Sequence, residues 1–101
     1  FGPTGPYLVT KDDISDINNL NLSLDVNEKK MQAGNTKNMI FNTNFLLSYL
    51  SKFMTLLPGD IITTGTPPGI GNAKKPPIFL KIGDEVKLSI NELGEQKQKV
   101  R

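Results

Sequence analysis

The sequence predicts an α+β domain, mostly β, in which short strands surround one main helix. Three observations predict it. Residues 20–27 and 85–91 alternate apolar and polar side chains at the period of a half-buried strand. Only the window within 36–54 repeats apolar residues at helical spacing. Turn signals built from Gly, Pro and Asn separate these runs at short intervals, with no internal repeat and no domain linker.

In chain order, Phe1–Pro6 is a Gly/Pro loop and Tyr7–Thr10 a short β-like run. Lys11–Asp16 is polar and long enough for one helical turn, with Thr10 as its N-cap and Asp12 and Asp13 in its first turn. Asp12, Asp13 and Asp16 lack the glycine and the bidentate Glu of a calcium loop, so a metal role there is not supported. Leu20, Leu22, Leu24 and Val26 share one face of a strand, while Asn21, Ser23 and Asp25 face water. The polar run 27–30 turns the chain into a second strand, 31–34, which Gly34-Asn35 ends.

The main helix is expected at about 43–54, with Asn42 or Thr43 as its cap. Leu46, Leu50 and Phe53 fall at i, i+4 and i+7, flanked by Leu47 and Met54 and edged by Tyr49, a stripe suited to packing on a sheet. Pro58-Gly59 is a turn, and the four β-branched residues Ile61–Thr64 suit a buried strand. Asp60 and Asp84 each follow a turn glycine and are expected to cap that turn. Residues 72–77 are loop, Ile78–Leu80 is a short apolar run, and Val86, Leu88 and Ile90 form the buried face of a further strand. Leu93-Gly94 turns into a last strand over 95–100, whose Lys and Gln residues fit a sheet edge guarded against unwanted pairing.

At 101 residues the chain is one domain or part of one. Twelve basic and ten acidic residues give a net charge of +2, too balanced to argue for nucleic acid or an anionic membrane. No apolar run reaches membrane-spanning length and no signal-peptide pattern opens the chain, which points to a cytoplasmic protein. Cys and His are both absent, removing disulfides, thiolate nucleophiles, zinc clusters and the commonest general base. Catalysis would therefore rest on carboxylates, Lys, Tyr or hydroxyls, or on groups from elsewhere.

The segment 57–71 is the most informative stretch. Pro67 and Pro68 fix φ and lack N–H donors, while Gly65, Gly69 and Gly71 allow a close backbone approach. Such a loop can turn N–H groups and the Thr66 hydroxyl toward an anion. A plain turn between two strands accounts for the same residues.

In this order, the motifs Gly2–Thr10, Gly34-Asn35-Thr36 with Met39-Ile40-Phe41, Tyr49–Leu56, Pro58-Gly59-Asp60, Thr64–Gly71 and Leu80–Asp84 resemble the fumarylacetoacetate hydrolase family in its C-terminal catalytic half. The resemblance runs over all 101 residues. It implies that 1–101 is the C-terminal part of a single catalytic domain with a β-roll or sandwich fold, usually homodimeric. It also implies an enzyme using Mg²⁺, Mn²⁺ or Ca²⁺ on 2-oxo acids, diketones or their enols, by C–C hydrolysis, decarboxylation or isomerisation through an enolate. The family's substrate-carboxylate contact falls on Thr66, with the Gly65 backbone beside it. The family's metal-binding carboxylates and a nearby Lys lie N-terminal to this region, so no metal ligand and no catalytic residue is assigned here. With no initiating Met, the chain reads as a fragment that is inactive in isolation. The alternative is a non-catalytic, truncated relative acting as a small oligomerising or ligand-binding module.

Overall fold

The computed structural model describes residues 2–101; Phe1, at the head of the first loop, lies outside the described residues. The fold is α+β and mostly β. Strands β1 (Asn21–Val26), β2 (Lys29–Asn35), β3 (Glu85–Ile90) and β4 (Gly94–Lys99) form an antiparallel sheet in the order β2-β1-β3-β4. Among the described residues a single α-helix, α1 (Thr43–Leu50), lies between β2 and β3 in the chain.

The alternating pattern fixes the sheet register. Leu22, Leu24 and Val26 stand opposite Ile90, Leu88 and Val86, giving the sheet one apolar face. On the other face the Ser23 and Ser89 hydroxyls pair at 3.0 Å. Lys87–Glu95 at 3.0 Å and Lys97–Glu85 at 2.8 Å bridge β3 and β4 there, and such exposed pairs stabilise little. Asn27 and Glu28, at φ 50 and 65, make the two-residue turn between β1 and β2. The Asn27 side chain also ties this turn to the start of β3, accepting from the Glu85 N–H at 2.9 Å and donating to Asp84 Oδ1 at 2.8 Å. One irregularity interrupts the ladder: Leu24 pairs with Gln32 and Asp25 with Lys30, leaving Met31 as an extra residue in β2. β4 is an edge strand, as its composition predicts.

Two segments cross the apolar face. The N-terminal loop lies over β4, where Gln96 Nε2 donates to the Gly5 carbonyl at 3.0 Å and the Tyr7 hydroxyl packs against Gly94. The loop after Thr66 lies over β2. Between these segments the core is thin: Leu20 and Gln96 are the buried side chains among the described residues.

Several expectations are corrected. The helix ends at Leu50 rather than near 54; Ser51 caps it, its hydroxyl donating to the Ser48 carbonyl at 2.9 Å, and residues 51–53 continue only as turns. Asn42 is the N-cap, its side chain accepting from the Phe45 N–H at 2.8 Å. No residue of α1 is fully buried, and although Leu46 and Leu50 are half-buried, the helix packs only sparsely against the sheet. Instead Phe41, Phe45, Tyr49 and Phe53 stack in succession along the helix, with ring centroids 4.8, 6.0 and 5.0 Å apart. Tyr7–Thr10 and Ile61–Thr64 are not strands. Ile61 is 74% exposed, because β-branched residues suit a pleated surface but form a strand only beside a partner edge, and none among the described residues pairs with these runs. The turn expected over 11–16 is a 3₁₀ turn at Lys11–Asp13, where the Thr10 hydroxyl donates to the Asp13 carboxylate rather than accepting an N–H.

Candidate substrate-carboxylate site

The approach to Thr66 begins at the turn 57–60. The Asp60 N–H donates to the Leu57 carbonyl at 3.1 Å, and Asp60 Oδ2 accepts from the Leu57 N–H at 2.8 Å. Asp60 is thus occupied as a turn cap, as its position after Gly59 predicts. The chain then runs extended to Gly65 and delivers Thr66 exposed at the surface. The N–H groups of Gly65 and Thr66 meet no acceptor among the described residues.

What holds the loop is β2. Pro67 packs onto Gly34, where a Cβ would come within 2.8 Å of the Pro67 ring, and Gly69 packs onto the Met31 carbonyl. Between these contacts Gln32 reaches up from β2. Its Nε2 donates to the Pro67 carbonyl at 2.7 Å and to Thr66 Oγ1 at 2.8 Å. The Thr66 hydroxyl lies 3.4 Å from the Pro67 carbonyl, at the weak end of hydrogen bonding. Beside this cluster an apolar groove of about 560 Å³ runs under the 69–81 loop, lined by Leu24, Val26, Ile70, Ile78 and Phe79 with Gln32 at its border.

Besides Glu85 and Glu95 in their cross-strand ion pairs, several carboxylates hold turns and loops. Asp84 Oδ2 accepts from the Lys81 N–H at 2.8 Å and Oδ1 from the Asn27 amide. Those two bonds, the backbone one foremost, hold the Asp84 carboxyl below its usual range. Asp16 accepts from the Asn18 N–H at 2.9 Å. Glu92 receives both the Ser15 hydroxyl and its N–H at 2.6 Å, which lowers its pKa. Among the described residues no three of His, Cys, Asp or Glu gather into a group able to hold a metal ion. The described residues by themselves do not fit a divalent cation.

Of the two residues singled out from sequence, the loop presents Thr66 with Gly65 next to it. Gln32 was not singled out. Its signal is visible only after the hairpin register is set, when an amide falls on the face shared by Leu22, Leu24 and Val26.

Fold and motif order together define a segment of a larger enzyme class. The family model described as "Fumarylacetoacetate (FAA) hydrolase C-terminal" matches residues 1–101, and the chain belongs to that family. It is 54% identical over 101 residues to 2,4-didehydro-3-deoxy-L-rhamnonate hydrolase of Sphingomonas sp. (strain SKA58), covering 99% of this chain and 35% of that protein. It is 55% identical over 94 residues to the mitochondrial oxaloacetate tautomerase FAHD2A of Bos taurus, covering 93% of this chain and 30% of that one. The fold matches maleylpyruvate hydrolase from Sphingobium sp. SYK-6, solved in complex with manganese(II) and pyruvate, at a TM-score of 0.85 and 35% identity, over 95% of this chain and 34% of that one. The chain therefore spans about a third of the length of these relatives, which are hydrolases and a tautomerase.

Proposed function

We propose that these residues form the C-terminal part of a single catalytic domain in a full-length, divalent-metal-dependent enzyme. Its substrates are 2-oxo acids or diketones, and its reaction is C–C hydrolysis, decarboxylation or isomerisation through an enolate. The role of this segment is to bind the substrate carboxylate: the Thr66 hydroxyl donates to it, with the Gly65 backbone alongside. The observation that carries the proposal is the seating of Thr66, exposed yet fixed to β2 through Gln32 and Pro67. A plain turn needs no such anchorage. The cation, Mg²⁺, Mn²⁺ or Ca²⁺, supplies Lewis-acid stabilisation of the enolate when bound, through ligands outside these residues. The proposal carries with it a homodimeric, cytoplasmic enzyme.

Thr66→Val tests it. The change keeps the β-branched shape and deletes the hydroxyl, so stability should hold while carboxylate binding weakens by one hydrogen bond to a charged group, about 1.5–3 kcal/mol. The measurement is KM and kcat of the full-length enzyme with oxaloacetate or an acylpyruvate. If both stay unchanged, Thr66 is only a turn residue.

A further inference from the structure

Gln32 does more than tether the loop. A carbonyl oxygen only accepts, so the contact with the Pro67 carbonyl at 2.7 Å fixes which end of the Gln32 amide faces the loop: it is the NH₂ end. Of its two hydrogens, one goes to Pro67 and the other to Thr66 Oγ1, 2.8 Å away. A hydroxyl that accepts from an amide cannot aim its own hydrogen back at that amide. Its one acceptor among the described residues is the Pro67 carbonyl, which keeps a second lone pair beside the Gln32 bond but stands 3.4 Å away, a weak partner. The Thr66 O–H is thereby only weakly held and can turn to a stronger acceptor outside the loop.

We propose that Gln32 is a positioning residue that sets the polarity of the Thr66 hydroxyl, presenting it as a donor to a carboxylate-bearing ligand. The proposal rests on the assignment of Thr66 as the carboxylate contact. It explains why a polar side chain occupies the apolar face of β2 opposite Leu24, where an apolar residue would extend the core. Without the amide the hydroxyl can swing into orientations that offer an anion only lone pairs.

A double-mutant cycle in the full-length enzyme tests the idea. Gln32→Met and Thr66→Val are made singly and together, and pyruvate affinity is measured by calorimetry with Mn²⁺ at saturation. Thermal midpoints are recorded for all four proteins. Thr66→Val is expected to weaken pyruvate binding about tenfold and Gln32→Met by about threefold or more. The double variant should bind little more weakly than Thr66→Val alone, since Gln32 acts on the ligand through the hydroxyl while its Pro67 bond holds the loop. A loss from Gln32→Met that is equally large in the Thr66→Val background overturns the proposal and reduces Gln32 to a tether for Pro67. A silent Gln32→Met beside a damaging Thr66→Val also overturns it while sparing the Thr66 assignment. A silent Thr66→Val removes both. Should Gln32→Met fail to fold, Gln32→Glu keeps the shape but can only accept, and parent-like pyruvate affinity in that variant sinks the proposal.

Discussion

Gly69→Ala probes the contact that seats the Thr66 loop on the sheet. Gly69 has φ +110, a conformation costing a residue with a Cβ about 1–2 kcal/mol. Space matters as well: the added methyl would overlap the Met31 carbonyl oxygen and lie 3.3 Å from Gln32 Cγ. Met31 belongs to β2, so the loop rather than the strand must give way. Lifting it by about an ångström stretches the Gln32 bonds to Thr66 and Pro67 beyond hydrogen-bond range, at about 0.5–1.5 kcal/mol each. The expected loss is about 2–5 kcal/mol. Gly65→Ala is the control. Gly65 has φ +96 but nothing within 4 Å of the added methyl, so only the conformational cost of about 1–2 kcal/mol applies. The assay is the urea midpoint of both variants in the full-length enzyme, together with pyruvate affinity for Gly69→Ala. Equal losses in the two variants, with affinity retained in Gly69→Ala, would refute the idea that the Met31 contact holds the loop.

Asp84→Ala should destabilise the protein at neutral pH, with the deficit closing in acid. Because the Asp84 pKa is lowered on folding, its contribution is present above the ordinary value of 3.8 and disappears as pH falls through the lower folded value. A deficit that persists unchanged to pH 2, measured by denaturation across pH, would count against the Lys81 and Asn27 bonds as its source. Glu28→Gly should raise the urea midpoint, by about 1 kcal/mol, since Glu28 sits at φ 65 in a turn that favours glycine there; a lower midpoint contradicts this. Glu92→Ala should abolish the amide-exchange protection of Ser15, whose N–H donates to the Glu92 carboxylate, and protection equal to the parent's would show that another group holds the 11–16 segment.

The sheet was legible wherever strict alternation specified both a strand and its buried face. That held for Leu20–Val26 and Val86–Ile90, and the Asn27-Glu28 turn then set β2. Caps were legible because they are local: Asn42 lies three residues from its donor, as do Asp60 and Asp84. The misread runs failed for one reason. The β-branched composition of Ile61–Thr64 reports what surface a residue suits, not whether a partner edge exists. The stripe expected over 43–54 likewise marks an apolar face without saying what lies against it, and here Leu47 is 41% and Phe53 68% exposed. In the 57–71 segment, the placing of Thr66 on an exposed loop was legible from its glycine and proline neighbours. Gln32 was not, because its partner lies 34 residues away and only the register brings the two together.

The extra residue in β2 links two parts of the chain that sequence keeps apart. By bulging between the pairs Leu24–Gln32 and Asp25–Lys30, Met31 packs its carbonyl closely against Gly69 while Gln32, next along, takes hold of Thr66. Trimming that residue would mend the ladder and at the same time unseat a loop more than thirty positions downstream. The length of this hairpin is therefore constrained from outside the hairpin, and insertions or deletions between residues 28 and 32 should be tolerated far less than a surface turn would suggest.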